Sequence, residues 1–312
     1  MTSPPSFSAR DSAFALFIVV SWGLNFVVMK WGLASWTPFQ MGAARYLLAA
    51  FPLLLFIRPR GLPWRWVLLY GVAQGIGQFG FLFTALKLGM TASLASVLMQ
   101  TQVFFTALFG LLFLQERLNR AQLVGLAMAA LALMCFAMHF ITGSTLQSGV
   151  TVLSFALNLC AAASWAASNI VARKAQQAAP GYDALAFVVW SSAVPIIPFV
   201  LLSAALDTGS VPAVIESLIQ APWTAWAAAA YLGWIATIAA YAMWTNLLKR
   251  HAANRVAPLS LGVPVVGIAA GMLLLGESVS AWQWAGVACV GAALIIVLFG
   301  AKFISQKGRL AN

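Results

Sequence analysis

Two short stretches of the sequence place an asparagine close to a tryptophan inside an otherwise apolar segment. Trp22 precedes Asn25 in the first stretch, and Trp165 precedes Asn169 in the second. A buried amide costs free energy unless it is hydrogen-bonded, so each asparagine needs a partner. Trp22, Asn25 and Met29 recur at i, i+3 and i+7 and therefore share one helical face. The repeated pattern predicts a paired site built from two halves of the chain.

Other polar side chains also fall inside apolar segments, and for all of them two interpretations are open. They could line a polar cavity, or they could join helices through hydrogen bonds worth roughly 1 kcal/mol or less. Gln100 and Gln102 are two residues apart and cannot face the same way in a helix, so we expect only one of them to reach a cavity. The set comprises Arg45, Gln74, Gln78, Gln100, Gln102, Asn158 and Asn246.

Arg45 is the only charged residue well inside a predicted span. A charge there costs on the order of 3 kcal/mol on insertion scales, which favours a partner. That partner is either a carbonyl at a helix end, which would make Arg45 a structural tether and which we favour, or a substrate carboxylate. No acidic residue lies at matching depth on a neighbouring span, so Glu277 would have to reach in from the membrane boundary.

Four aromatic residues lie in the middle of predicted spans, away from the membrane interfaces where tryptophan and tyrosine usually collect. Aromatic walls suit an amphipathic solute, although filling a protein core is the more common use of such residues. The four are Trp165, Trp190, Tyr241 and Trp244.

The apolar segments lack the residues that most enzymes and ion-coupled pumps need. No Asp or Glu falls in mid-span, although an antiporter for cations or drugs generally needs one there. The sequence has no phosphate-binding loop, no serine nucleophile motif and no cysteine spacing typical of a zinc site. We therefore expect no enzyme activity, no metal and no cofactor, and a neutral or zwitterionic solute.

The composition predicts a helical protein that crosses the membrane many times. Hydrophobic residues make up 62% of the chain and charged residues 7%, with a mean hydropathy of +0.93; a soluble domain carries about 25% charge. The net charge of +11 is spread between apolar runs, so the lipid bilayer is the expected partner and nucleic acid is not. The apolar runs define ten predicted spans, at residues 12–31, 38–57, 64–86, 91–114, 121–140, 150–172, 183–206, 223–247, 256–276 and 282–299.

The basic residues predict the orientation of these spans. Fourteen of the 17 Lys and Arg residues lie on the side that holds both termini, whereas the other side has only Lys30 and Lys87. Because cytoplasmic loops carry the excess of Lys and Arg, both termini are expected in the cytoplasm.

The two halves of the sequence also align with each other, at offsets of 143 and 161 residues. The predicted repeats are residues 12–140 and 150–300, with five spans each. Because five is odd, the second repeat must insert upside down, which is typical of secondary transporters with a binding site near the membrane midplane. The matching pairs are Trp22 and Trp165, Pro52 and Pro195, Tyr70 and Tyr231, Gly110 and Gly271, Glu116 and Glu277, Gln122 and Gln283, and Gly125 and Gly286.

These features resemble the drug/metabolite transporter superfamily, and specifically its EamA-type members with ten helices. The resemblance extends from Ala13 to Phe299 and is strongest to the bacterial members that export O-acetylserine and cysteine. It is carried by WGLNFVV at 22–28, AARY at 43–46, QF at 78–79, GM at 89–90, ASLASV at 92–97, ERL at 116–118, PIIPF at 195–199, RVAPLSL at 255–261 and VPVVG at 263–267.

The resemblance implies an all-α integral membrane protein with ten transmembrane helices arranged as two inverted five-helix repeats. It also implies a central cavity through which a bacterial inner-membrane protein exports amino acids or related metabolites by alternating access. The predicted substrate-binding residues are Trp22, Asn25, Arg45, Gln78, Gln102, Trp165, Asn169, Trp190, Tyr241 and Trp244.

Two other functions remain open from the sequence. The 13 tryptophans would suit an exporter of aromatic amino acids or hydrophobic drugs. A membrane scaffold or an intramembrane enzyme would also fit the composition, but neither would have a use for a duplicated polar site. Coupling to protons is open as well, and so is the choice between a monomer and a homodimer.

Overall fold

The computed structural model of the chain describes residues 8–115, 118, 120–141, 149–251 and 256–309, and the side chains of most of them. All regular secondary structure in these described ranges is helical. Successive helices alternate in direction. We call the end of the bundle at which the first helix begins the terminal end, and the opposite end the far end.

Within the described residues, ten long helical segments make up the bundle. They are α1 (Ala9–Leu33), α2 (Pro38–Ala50), α3 (Trp64–Lys87), α4 (Ala92–Leu114), α5 (Arg120–Ile141), α6 (Val152–Ala178), α7 (Ala184–Thr208), α8 (residues 223–250), α9 (residues 257–275) and α10 (Ala281–Arg309).

The lengths and composition of these helices agree with a protein that crosses the membrane many times. Seven of the ten are long and apolar enough to span a bilayer, and α9 and α10 contribute the shorter apolar stretches Leu259–Leu275 and Ala281–Val297. Large apolar side chains such as Leu55, Ile197 and Leu273 are largely exposed on the outside of the bundle, where lipid would surround them. The all-helical membrane fold predicted from the sequence is confirmed.

One detail of the predicted spans is wrong. The second span does not continue to Ile57, because α2 ends at Ala50 and the chain turns at Pro52, which has no N–H to donate and disfavours a helical residue before it. The long connection after α7 contains an additional short helix, Val211–Ile219, with Ser210 as its N-cap.

Departures from regular α-helix occur at matching places in the two halves of the chain. The third helix of each half contains a π-helical segment, Gly71–Phe79 in α3 and Tyr231–Ala239 in α8. The fourth helix of each half contains a 3₁₀ turn, Met99–Thr101 in α4 and Ala257–Leu261 in α9. The fold is therefore two inverted five-helix repeats, with the same irregular backbone in each.

One close contact between the repeats is made where α9 packs against α1 and α4. A Cβ atom on Gly23 would collide with Val266, and a Cβ atom on Gly267 would collide with Ser96. These glycines let the helix backbones approach closely, as small residues do in membrane bundles. At the terminal end, His251 after α8 contacts Asp11 in the first turn of α1, with 3.0 Å between Nε2 and Oδ2.

Candidate functional site

A cavity of about 320 Å³ lies between the two repeats. It is bordered by residues of α1, α2, α3, α4, α6, α8, α9 and α10, so both repeats contribute to its wall. Cavities of about 300–1,000 Å³ are typical of small-molecule sites. Nine of the ten residues predicted as substrate-binding border it, namely Trp22, Asn25, Arg45, Gln78, Gln102, Trp165, Asn169, Tyr241 and Trp244.

One wall of the cavity is aromatic and is held in place by Trp22. The Trp22 indole Nε1 donates a hydrogen bond of 2.9 Å to the carbonyl of Ala236, in the π-helical segment of α8. Its ring centroid lies 5.3 Å from that of Tyr241 and 5.5 Å from that of Trp244. Contacts at these distances fix ring orientation, so α1 and α8 present one continuous apolar surface to a bound solute.

Asn25 and Gln78 border the same cavity, and each has a side-chain oxygen without a partner in the described part of the chain. Asn25 Oδ1 and Gln78 Oε1 are both buried, and neither has a hydrogen-bond partner in the described part of the chain. A buried carbonyl oxygen left unpaired costs about 1–3 kcal/mol, which is a reason to look for a missing partner. The two amides therefore offer acceptors to a solute.

Asn169 is already engaged across the helix interface. Its Nδ2 donates to Gln102 Oε1 at 2.9 Å and to Thr106 Oγ1 at 3.3 Å, which joins α6 to α4. Gln100 Nε2 donates at 3.4 Å to the carbonyl of Ser260 in α9. Gln102 thus enters the site as the partner of Asn169.

The expectation that only one of Gln100 and Gln102 reaches a cavity is wrong, because both border it. Gln100 lies in the 3₁₀ turn Met99–Thr101 and Gln102 follows it directly, so the two residues do not follow the spacing of a regular α-helix. A continuous helix was assumed in the prediction.

Arg45 is 3% exposed and borders the cavity from α2. Its Nη2 donates to Thr237 Oγ1 at 3.1 Å, and the centre of its guanidinium lies 3.6 Å from the centroid of the Phe79 ring. The Nε and Nη1 atoms are buried and have no hydrogen-bond partner among the described residues. The helix-end carbonyl expected for a tether is therefore replaced by a threonine hydroxyl, and two donors are left over.

A second, smaller cavity of about 20 Å³ adjoins Arg45 and has room for about one water molecule. It is bordered by Gln74, whose Nε2 donates to the hydroxyl of Tyr241 at 3.1 Å. Gln74 Oε1 is buried without a partner among the described residues. Arg45 thus borders two cavities, and each of them is also bordered by a glutamine with an unpaired side-chain oxygen.

Trp190 is the one predicted residue that does not border the cavity. Its indole Nε1 donates to the carbonyl of Ile57 at 2.9 Å, and its ring packs edge-on against Trp64 at 5.5 Å between centroids. It thereby joins α7 to the segment between α2 and α3. The sequence reasoning in turn missed Tyr70, which borders both cavities and which had been signalled by its match with Tyr231 in the repeat.

At the far end, Glu277 is bound to α1 and α4 and does not reach Arg45. Its carboxylate accepts hydrogen bonds from Ala92 N at 2.7 Å, Ser93 N at 2.8 Å and Ser93 Oγ at 2.7 Å. Lys30 Nζ lies 3.4 Å from the same carboxylate. Glu277 therefore caps the N-terminus of α4, where the helix dipole favours an anion. Its repeat partner Glu116, with Arg117 and Arg255 of the sequence motifs, lies outside the described residues.

Among the described residues, no group of His, Cys, Asp and Glu could hold a metal ion. The three cysteines are free thiols. The cavity is bordered by amides, aromatic rings, one guanidinium, two serines and aliphatic side chains.

Known proteins are similar to this chain over nearly its whole length. The EamA-like transporter family matches residues 12–138 and again residues 152–299. A probable amino-acid metabolite efflux pump of Salmonella typhimurium is 42% identical over 293 residues, covering 94% of this chain and 96% of that protein. A protein of the same description from Escherichia coli is 39% identical over 296 residues, covering 95% and 97%. A solved crystal structure that is 17% identical covers 95% of this chain and 99% of its own with a TM-score of 0.61, which bears on the fold alone.

Proposed function

This chain belongs to the EamA-like transporter family, and we propose that it exports small amino-acid-like metabolites of the cysteine and O-acetylserine class by alternating access. As a member of that family it is a multi-pass membrane transporter and not an enzyme. The observation that carries the proposal is the cavity between the inverted repeats, with its unpaired amide oxygens beside an aromatic wall. The relatives described as amino-acid metabolite efflux pumps support the direction and the solute class.

We assign the nine cavity residues of the predicted set to solute binding. Asn25 and Gln78 offer acceptors, Asn169 is oriented by Gln102, and the rings of Trp22, Trp165, Tyr241 and Trp244 surround the apolar part of the solute. Trp190 is left out of the proposal because its ring and its N–H are used in packing.

Alternating access is supported by the unequal packing at the two ends of the cavity. Toward the far end, α1, α4 and α9 are in close contact at Gly23, Gly267 and Gly271, and Lys30 pairs with Glu277. Toward the terminal end, the cavity lining extends to Trp244 and to Ser260, near the start of α9. This arrangement fits a state that is closed at the far end, from which opening there would release a solute.

The transport experiment is counterflow in proteoliposomes that contain the purified full-length protein. We expect saturable uptake of labelled cysteine and labelled O-acetylserine into vesicles preloaded with the unlabelled compound. Excess tryptophan is the competitor that separates the proposal from its rival: no inhibition supports a small-metabolite exporter, and full inhibition supports an exporter of aromatic amino acids. Absence of flux for both labels would overturn the proposed function.

We further propose that the protein lies in the bacterial inner membrane with both termini in the cytoplasm, because 14 of 17 basic residues lie on the terminal side. A reporter fused after Asn312 tests this topology. Green fluorescent protein there should fluoresce and alkaline phosphatase there should be inactive. The opposite pair of results is expected for fusions at Gly89, in the far-end connection between α3 and α4. Active phosphatase after Asn312 would reverse the orientation.

A further inference from the structure

Among the described residues, no anion balances the charge of the Arg45 guanidinium. Its single hydrogen-bond partner there is the neutral hydroxyl of Thr237, and the rings of Phe79 and Tyr46 lie 3.6 and 5.7 Å from its centre. A hydroxyl and an aromatic ring stabilise a cation but do not neutralise it. A cation inside a membrane bundle is generally paired, so the site has room for a counter-ion.

The described acidic side chains are all occupied elsewhere. Each contacts another group near an end of the bundle, far along its helix from the level of Arg45. The pairs are Asp11 with His251, Asp183 with the backbone of Leu185, Asp207 with Thr37, Glu216 with Gln220, and Glu277 with Lys30. The counter-ion of Arg45 is therefore not supplied by the described part of the chain.

Groups of the opposite kind belong to two residues on α1 and α3 that border the same cavity. Asn25 Oδ1 and Gln78 Oε1 accept hydrogen bonds and cannot donate them, and both lack a partner. An ammonium group is a donor with three N–H bonds and suits two such oxygens. The cavity thus carries unused donors with positive charge on α2, and unused acceptors on α1 and α3.

We propose that the cavity recognises its solute as a dipole, with the α-carboxylate on Arg45 and the α-ammonium on the side-chain oxygens of Asn25 and Gln78. The solute class is then free zwitterionic α-amino acids, including those with a modified side chain such as O-acetylserine. Esters of the α-carboxylate and N-acyl derivatives are excluded. Charge-assisted hydrogen bonds from a guanidinium to a carboxylate are among the strongest in proteins. This inference rests on the proposed function and deepens it, since it names the groups of the solute that the site binds.

The first test compares three unlabelled competitors of labelled cysteine counterflow, using the wild-type protein in proteoliposomes. Cysteine has both charges, cysteine methyl ester lacks the carboxylate, and N-acetylcysteine lacks the ammonium. We expect each derivative to require a concentration at least about tenfold higher than cysteine for half-inhibition, since losing one charged contact costs on the order of 1.4 kcal/mol or more. Equal inhibition by the ester overturns the role of Arg45, and equal inhibition by N-acetylcysteine overturns the role of the two amides.

The second test uses Arg45→Gln, with Thr237→Val as its matched control. Arg45→Gln should raise the half-saturating cysteine concentration at least about tenfold and should remove the preference for cysteine over its methyl ester. Thr237→Val removes the hydrogen bond that holds Arg45 but keeps the cation, so the preference should persist. If Arg45 is only a structural tether, the opposite results are expected. Arg45→Gln should then keep the preference for cysteine over its methyl ester as long as it transports, and the two variants should reduce transport equally.

The possible outcomes distinguish a failure of this inference from a failure of the proposed function. If wild-type protein exchanges cysteine but accepts the methyl ester equally well, the exporter stands and the dipolar site is wrong. If wild-type protein exchanges neither cysteine nor O-acetylserine, the proposed function is wrong, and the proposal of a dipolar site is wrong as well. If Arg45→Gln does not fold, the competitor comparison on wild-type protein decides the question alone.

Discussion

We expect Asn25→Ala to lower counterflow by about a hundredfold, while the protein inserts and unfolds as the wild type does. The physical reason is that the structure gives Asn25 Oδ1 no partner to lose. Removing a buried acceptor that makes no hydrogen bond costs little stability, whereas losing a hydrogen bond to a charged ligand group costs about 1.5–3 kcal/mol. We therefore expect the thermal midpoint of Asn25→Ala to stay within about 2 °C of wild type.

Asn158 on α6 is the matched control for this prediction. Its side chain is fully buried, and its Oδ1 and Nδ2 both lack partners among the described residues, yet it does not border the cavity. Asn158→Ala should therefore leave counterflow intact. Normal transport by Asn25→Ala would remove Asn25 from the site. Equal loss of transport in both variants would mean that transport depends on buried amides of the helix bundle in general, and not on those that border the cavity.

The fold was predictable from the sequence because its signals are long and repeated. Apolar runs of bilayer length fix the number of spans, and the match of residues at offsets of 143 and 161 reveals the duplication. The end of α2 was not predictable from hydropathy alone. The apolar run continues past Ala50 to residue 57, whereas the helix stops at Ala50, two residues before Pro52.

The candidate site was largely predictable for a different reason. Amides such as Asn25 and Gln78 stand out in apolar segments, and a duplicated pattern marks those that the two halves share. Their partners were not predictable, because a partner is a tertiary contact. The hydroxyl of Thr237 is 192 residues from Arg45 along the chain and carries no charge that would single it out. Trp190 has the same mid-span position as Trp165, but only the packing against Trp64 shows that it faces away from the cavity.

Replacing Glu277 by alanine should destabilise the protein by about 2–4 kcal/mol and open the far end. The side chain of Glu277 is 7% exposed, and its loss leaves the backbone N–H groups of Ala92 and Ser93 without their acceptor. Loss of a helix cap costs about 0.5–2 kcal/mol, and an unpaired buried donor adds about 1–3 kcal/mol. Glu277→Gln keeps an oxygen that can accept one of these bonds, so its loss should be roughly half as large.

The same contact explains why the far end should open. Glu277 follows α9 of the second repeat, whereas Lys30, Ala92 and Ser93 belong to the first, so one carboxylate joins the two repeats. A Cβ on Gly271 would collide with this carboxylate and with Ser93, which shows how closely α4 and α9 approach here. A state open at the far end must break these bonds. Weakening them therefore shifts the population toward that state.

Thermal unfolding in detergent and labelling of a cysteine at position 96 measure the two effects. In a variant without the three native cysteines, Ser96→Cys is buried at the contact of α4 with α9 and borders the cavity. A membrane-impermeant maleimide added outside the cell should label it at least about tenfold faster when Glu277→Ala is also present, which corresponds to a shift of about 1.4 kcal/mol.

Lys30→Met is the control for this prediction. The Lys30 side chain is 27% exposed and its Nζ lies 3.4 Å from the carboxylate, and exposed ion pairs contribute at most about 1 kcal/mol. If Glu277→Ala changed neither the midpoint nor the labelling rate, Glu277 would not hold the far end closed. If Lys30→Met matched it in both, the ion pair, and not the cap on α4, would be the contact that closes this end.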